Sequence, residues 1–480
     1  MVKLEDAGAE RLGRRARAPS ARLAVVLAIV AGFAVSMAVN LPGHMSYDSV
    51  LQLAQGRQGV YNEWHPPVMA WLLGLCDGIV RGSGLFVVID GLLLYGGLLA
   101  FALIAPRTSW AVPVIVLAYA ATPDWLIYPG IVWKDVLFAG SALAGFAALA
   151  WAEARWDDRR MRLALIALAF ALLSLATLSR QNGVVVLPAA AAALAFIAWR
   201  RTGASQIGAA AAYGLVPLLG ALAVVAGAAT ALHARSDGED SRAEQVADLQ
   251  AYDIAGALRL RPDLKLDLLD SRAPPLARLL RTKGAASYTP ERIDELTVTP
   301  DLETAIFDAP PGVLSRQWLD LVLHHPDLYL QVRWSDFAWV VFTPDIDSCV
   351  PFFVGVEGPE PWISQLHMTN HTRPGDKALE RYGDRLTPTP LFWHGLYAVA
   401  ALVMLAVLAR RRAPGDLAVA AMLGGALLFM ASFFVISVAC DYRYLYFLDV
   451  AAMAAALYLA AGADWRRLAQ AARLWSAKAG

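Results

Sequence analysis

The feature that most constrains this chain is a succession of apolar runs, near residues 22–41, 85–105, 110–123, 135–153, 162–179, 183–199, 207–232, 391–409, 416–440 and 443–461. A helix needs about 20 apolar residues to cross ~30 Å of hydrocarbon. Inside lipid a helix satisfies its own backbone hydrogen bonds, which an irregular segment does not. With 58% hydrophobic and 17% charged residues, the chain is also far more apolar than a globular average. The expected fold class is an all-α polytopic membrane protein with about ten transmembrane helices. The run Leu23–Val39 is longer than a signal-peptide core and is followed by many others, so it is expected to remain as the first helix.

The stretch 66–80 is the ambiguous one, because it is short, opens with Pro66-Pro67 and contains Cys76-Asp77-Gly78. Positive-inside counting decides it, since one extra crossing would invert every later loop. If 66–80 does not cross, the loops Arg155–Arg162, Trp199-Arg200-Arg201, Arg410-Arg411-Arg412 and Trp465-Arg466-Arg467 fall in the cytoplasm with Arg11, Arg14, Arg15 and Arg17. The expectation is therefore an interfacial helix in the first external loop, both termini cytoplasmic, and a multi-pass protein of the plasma or inner membrane. Three units follow: an N-terminal transmembrane module 1–232, a mainly helical external segment 233–390, and C-terminal helices with a tail, 391–480. The external segment contains helical pieces at 241–260 and 316–341, and the amphipathic, aromatic stretch Gln331–Phe342 is suited to the bilayer surface.

Lysine plus arginine (41) equals aspartate plus glutamate (41), so nothing in the charge balance asks for nucleic acid. Cys76, Cys349 and Cys440 are widely separated and form no C-x-x-C pair, which indicates neither a zinc site nor a disulfide framework. Gly-rich phosphate loops, His-Glu-x-x-His and Gly-x-Ser-x-Gly are missing, which removes nucleotide-driven transport, zinc proteolysis and serine hydrolysis from the reading.

With this parity the chemically useful residues gather on the outer face. Asp48, in Ser46-Tyr47-Asp48-Ser49, is placed to act as a general base toward a hydroxyl; alternatively, Ser46 or Asp48 caps a short helix through Gln55. His65 precedes Pro66-Pro67, as a supporting residue or a loop hydrogen-bonder, and Glu63 is a solvated or pairing charge. Lys134 and Asp135 stand where a loop enters a helix, free to pair with each other or with Asp124. Arg180 and Arg443 lie outside, against the positive-inside trend, where arginine can grip a phosphate bidentately. For Arg443 the alternative is a local pair with Asp441 or Asp449.

The arrangement resembles the GT-C superfamily of polyprenyl-phosphate-dependent membrane glycosyltransferases, which includes protein mannosyltransferases and lipid A sugar transferases. Four points carry the resemblance: Asp48 in the first external loop, Pro66-Pro67 opening an interfacial helix, Asp135 in Trp133-Lys134-Asp135 closing the second external loop, and a long external segment before the last helices. It covers roughly the first 200 residues by motif and the remainder by layout. Many members carry two adjacent acidic residues where this chain has Asp48-Ser49. The resemblance implies an inverting transferase that moves a hexose or pentose from a polyprenyl-phosphate donor to an acceptor lipid, glycan or protein. In it Asp48 is the base, Lys134, Arg180 and Arg443 hold the donor phosphate, and Tyr47, His65 and Asp135 give support. A divalent metal is compatible with this scheme and not required by it. The alternative is a transporter or flippase of a lipid-linked sugar, or a polymerase or ligase of surface polysaccharide.

Overall fold

The computed structural model describes residues 20–463, apart from 106–107, 204–205, 237 and 239–240. Arg11, Arg14, Arg15, Arg17 and Trp465-Arg466-Arg467 lie outside the described residues. Among those described there is no β-strand, only isolated backbone bridges. Among the described residues nine helices are long and apolar enough to cross a bilayer: Ala21–Asn40, Gly84–Leu103, Lys134–Ala154, Arg159–Ser179, Gln181–Thr202, Ile207–His233, His394–Arg411, Asp416–Ile436 and Tyr442–Ala461. The protein is an all-α polytopic membrane protein.

The predicted run at 110–123 is a broken element. Ala111–Ala120 and Pro123–Gly130 meet at 79°. Proline pushes the residue before it out of the helical region, and Thr122 is extended at φ −80°, ψ 152°. The helix Pro67–Ile79 has 13 residues. At about 1.5 Å per residue it spans roughly 20 Å, too little to cross. Lys134–Ala154 is the central helix, buried along nearly its whole length. Its alanines and glycines at 139, 140, 142, 144, 145, 147 and 148 let neighbours approach closely. A Cβ on Gly145 would lie 2.9 Å from Leu173.

The long segment before the last helices packs in two ways. Residues 251–332 form their own core around Ser241–Leu260, whereas Val340, Phe352, Val354, Leu379 and Phe392 join the core of the membrane helices. Val356 and Ile363 pack with Val50, Leu53, Met69 and Leu73 of the first loop. The predicted piece 316–341 is two helices, Val313–His324 and Pro326–Phe342. Pro326 lacks the N–H that a continuous helix would use, and His325 before it leaves the helical region. Fully buried Arg333 pairs with Asp253 and Asp336 and donates to the carbonyls of Val435 (3.1 Å) and Ser437 (2.8 Å). This second core is thereby bolted to the end of Asp416–Ile436.

One expectation is overturned. Cys349 and Cys440, 91 residues apart, form a disulfide with Cα atoms 5.0 Å apart. Spacing does not reveal such a pair, because the fold alone brings its halves together. Cys76 is free and buried.

Candidate active site

The loop leaving the first helix is laced by backbone to two distant stretches. His44 N–H donates to Gly130 O (2.8 Å) and Val132 N–H to His44 O (2.9 Å), while Met45 N–H donates to Gly355 O and Glu357 N–H to Met45 O, both at 2.9 Å. Buried Asn40 fixes the turn: its Nδ2 donates to Ser36 O (2.7 Å) and Leu126 O (2.6 Å), and its Oδ1 faces His44 Nε2 at 2.9 Å. His44 Nδ1 accepts from Gly355 N–H at 3.0 Å, so Nε2 carries the ring proton. Glycine is needed at 130, where a Cβ would come within 2.2 Å of the Asn40 side chain. This lacing carries Asp48, Trp133, Lys134 and the 355–359 stretch to one place.

There the residues singled out in the sequence meet. Asp48 sits in the first turn of Tyr47–Gln58, whose N-cap residue Ser46 makes no capping bond. Ser46 Oγ instead accepts from Trp133 Nε1 at 2.9 Å, so the capping alternative does not describe this turn. Arg443 Nη2 lies 3.0 Å from Asp48 Oδ2 and 3.0 Å from Asp441 Oδ2, and its Nε is 3.9 Å from Asp135 Oδ2. Its guanidinium stacks 4.9 Å over the Trp133 ring. Arg180 bonds Asp135 and stands over the rings of Phe433 and Tyr444, at 5.4 and 5.0 Å. Of the local alternatives for Arg443, Asp441 is a partner and Asp449 is not, since Asp449 binds His394. Asp135 pairs with Arg180 instead of Lys134, and Asp124 lies buried elsewhere, its carbonyl accepting from Tyr446 OH at 2.7 Å.

His65 joins the two halves of the cluster. Lys134 Nζ is 2.9 Å from His65 Nδ1, and His65 Nε2 is 3.4 Å from Asp48 Oδ1. An ammonium only donates, so Nδ1 accepts and the ring proton sits on Nε2, aimed at Asp48. Burial and the charge of Lys134 push the His65 imidazole down to about 4, which leaves it neutral at pH 7. Burial alone would raise the Asp48 carboxyl, yet the His65 hydrogen bond and the charges of Arg443 and Lys134 outweigh it and hold Asp48 far below the usual carboxylate range. Three carboxylates (Asp48, Asp135, Asp441) thus face three cations (Lys134, Arg180, Arg443). Among the described residues, Lys134 is the cation of the three with no carboxylate within 4 Å.

Asp48, Arg443 and Asp441 open onto a cavity of about 650 Å³, lined also by Tyr47, Trp133, Arg292, Phe353 and Glu357. A second cavity, of about 360 Å³, lies between Pro66, Pro67, Val68, Leu178, Val184, Val225 and Leu232. Buried Glu63 borders it, pairing with His233 and with Arg242 at 3.1 Å. No three His, Cys, Asp or Glu side chains gather to hold a metal ion among the described residues. The oxygens of Asp48, Asp135 and Asp441 face guanidinium groups, so this donor set does not fit a divalent metal.

Sequence reasoning gave no role to Trp133, which stacks under the cation, to Arg292, which shares Asp441 with Arg443 at 3.4 Å, or to His394, which forms a buried pair with Asp449. The tripeptide Trp133-Lys134-Asp135 was a usable signal for the first.

No protein-family model matches the chain, and no curated protein matches its sequence. Two solved structures of the Archaeoglobus fulgidus oligosaccharyltransferase align with it. One is AglB in complex with an inhibitory peptide and a dolichol-phosphate; the other is a complex with Zn and sulfate. Both alignments have a TM-score of 0.42 at 14% identity, covering 93% and 94% of this chain and 51% of the other. The chain spans about half the length of those proteins. At that level the likeness assigns no activity, ligand or residue role to this chain.

Proposed function

We propose that this chain is a membrane glycosyltransferase of GT-C type that transfers a sugar from a polyprenyl-phosphate donor to an acceptor hydroxyl, with inversion and with Asp48 as general base. The observation that carries the reading is that Asp48 meets Arg443 directly and Lys134 through His65, with Arg180 joined through Asp135, beside a cavity large enough for an acceptor. Lys134 and Arg443 receive the donor phosphate, and Arg180 supports them through Asp135. The acceptor hydroxyl lies in the 650 Å³ cavity, gives its proton to Asp48 and attacks the anomeric carbon. The bond from that carbon to the phosphate oxygen breaks, and the lipid phosphate leaves with its new charge held by the cations. His65 donates to Asp48 and keeps the carboxylate turned toward the acceptor.

A base held so far below the usual range accepts a proton poorly. Donor binding supplies the remedy. A phosphate that draws Arg443 and Lys134 toward itself removes the two charges that hold Asp48 down, and its basicity rises when the donor is in place.

In this reading the cluster faces the outside and both termini the cytoplasm. Lys134 opens its helix and Arg155 follows its end, which places the basic loops about 30 Å from the cluster. A Cys349–Cys440 disulfide near the cluster fits an oxidising compartment. Units 1–232, 233–390 and 391–480 then serve as donor-binding membrane module, external segment, and the helices that bring Arg443. The Pro67–Ile79 helix lies along the outer interface, with Trp71, Leu75 and Ile79 exposed for lipid.

The test is purified protein in lipid nanodiscs with labelled polyprenyl-phosphate sugars, following release of lipid phosphate and appearance of a glycosylated product. Wild-type protein should consume a donor and Asp48→Asn should not. Failure to consume any such donor, in protein shown to be folded, overturns the reading.

A further inference from the structure

Next to the cluster in sequence and structure lies a fully buried pair on two membrane helices. His394 opens His394–Arg411, and Asp449 lies in Tyr446–Ala461. His394 Nδ1 is 2.9 Å from Asp449 Oδ1 and its Nε2 is 3.0 Å from the Tyr442 carbonyl. A carbonyl only accepts, so Nε2 bears a proton. Nδ1 and a carboxylate oxygen at 2.9 Å then need a proton between them, whether as imidazolium and carboxylate or as imidazole and carboxylic acid. Both forms are neutral as a pair, and both donate to the Tyr442 carbonyl.

Tyr442 is held at two further points. Its ring stacks on His394 with centroids 3.9 Å apart, and its hydroxyl is 2.8 Å from Asp449 Oδ2 and 3.1 Å from Leu391 O. Carbonyl, ring and hydroxyl of one residue are therefore fixed by one buried pair and a backbone oxygen. The next residue is Arg443. It leaves the same 3₁₀ turn, Tyr442–Leu445, to reach Asp48 and Asp441.

We infer that His394 and Asp449 are positioning residues: through Tyr442 they set where the Arg443 guanidinium stands, and so the affinity of the site for the donor's phosphate. The role of Arg443 toward phosphate rests on the function proposed above; the fixing of the turn does not. An ionisable pair far from water is costly in a membrane protein and calls for a use. A buried pair that orients a charge-bearing turn is such a use, much as outer partners orient metal ligands.

The experiment has two readouts on protein in nanodiscs. Hydrogen–deuterium exchange of a peptide covering 440–446 reports the turn, and titration with polyprenyl phosphate, which needs no knowledge of the sugar, reports the site. His394→Leu should speed exchange in that peptide and weaken polyprenyl-phosphate binding roughly tenfold. His394→Gln, whose amide nitrogen can still donate to the Tyr442 carbonyl, should restore most of both, and it serves where the leucine variant fails to fold. In an Arg443→Ala background His394→Leu should weaken binding no further, whereas with Lys134→Ala the two losses should multiply. Unchanged exchange in folded His394→Leu overturns the inference. So does faster exchange with wild-type binding when Arg443→Ala alone weakens it. If Arg443→Ala leaves binding intact while exchange responds, the turn is fixed as inferred and the phosphate role of Arg443 is what falls.

Discussion

Asp48→Asn is the substitution that separates chemistry from architecture. It keeps the size of the side chain and one oxygen for Arg443, and removes the charge and the basic oxygen. Cutting one partner from a buried ion pair usually costs about 3–5 kcal/mol, because the other charge is left alone. Here Arg443 keeps Asp441 at 3.0 Å and lies 3.9 Å from Asp135, and Asp48 itself is 26% exposed. The loss of stability should therefore be no more than about 1 kcal/mol, the size of an ordinary hydrogen bond. Turnover should fall by roughly 10² to 10⁴, which is about 3–5 kcal/mol of transition-state stabilisation. A third quantity should move the other way. The carboxylate competes with phosphate for Arg443, so polyprenyl-phosphate affinity should hold or improve. Transfer rate, thermal midpoint and lipid-phosphate titration in one nanodisc preparation measure all three. Folded Asp48→Asn protein that transfers sugar at near wild-type rate refutes the assignment, and Asp135 becomes the next carboxylate to test.

Lys134→Ala and Arg443→Ala should each weaken donor use without lowering expression; normal donor affinity and rate in both would make these cations purely structural. External cysteine labelling should modify a cysteine at exposed Ser271 and spare one at Ser476, a position outside the described residues, and the reverse pattern would sink the proposed orientation. Chain denatured without reductant should titrate one thiol, that of Cys76, and three after reduction; three at the outset would contradict the Cys349–Cys440 bond. The fourth concerns pH. The His65 ring is depressed to about 4 in the fold from an ordinary 6.5, so below pH 6.5 the unfolded chain takes up a proton that the folded one refuses. Stability contributed by neutral His65 is present above pH 6.5 and lost as pH falls toward 4, by on the order of 2–3 kcal/mol. His44 is displaced in the same sense, so the test is a difference: His65→Gln should flatten the thermal midpoint between pH 6.5 and 4 relative to wild type, and parallel curves would refute it.

The membrane helices were legible because hydrophobic length is a property of contiguous residues. Leu23–Val39 and Val419–Phe434 announce themselves without any partner. That Asp48, Lys134, Arg180 and Arg443 gather at one membrane face was legible for a related reason, since each sits at a helix end and parity sorts helix ends into two faces. Contacts within that face were not. Nothing local tells Asp135 to take Arg180 in place of the adjacent Lys134, because the choice depends on how Arg159–Ser179 packs against Lys134–Ala154. The disulfide and the break at His325-Pro326 show two kinds of miss: the first needs tertiary structure, whereas the second stood in the sequence as a proline inside a helical pattern.

What the geometry adds to the sequence is an order of events. With Asp48, Asp135 and Asp441 set among Lys134, Arg180 and Arg443, the base is quenched by groups proposed to hold the donor. An acceptor that arrives first meets a carboxylate engaged with Arg443 and gains no activation. A phosphate that arrives first finds Lys134 bearing only a neutral imidazole, takes it, and competes with Asp48 for Arg443. The same displacement that binds the donor frees the base, so on the proposed reading donor binding precedes acceptor activation. A dead-end acceptor analogue, which binds only after the donor, should then inhibit uncompetitively with respect to donor. An acceptor-first pattern would mean that Asp48 is already free in the resting protein, against the contacts seen with Arg443 and His65.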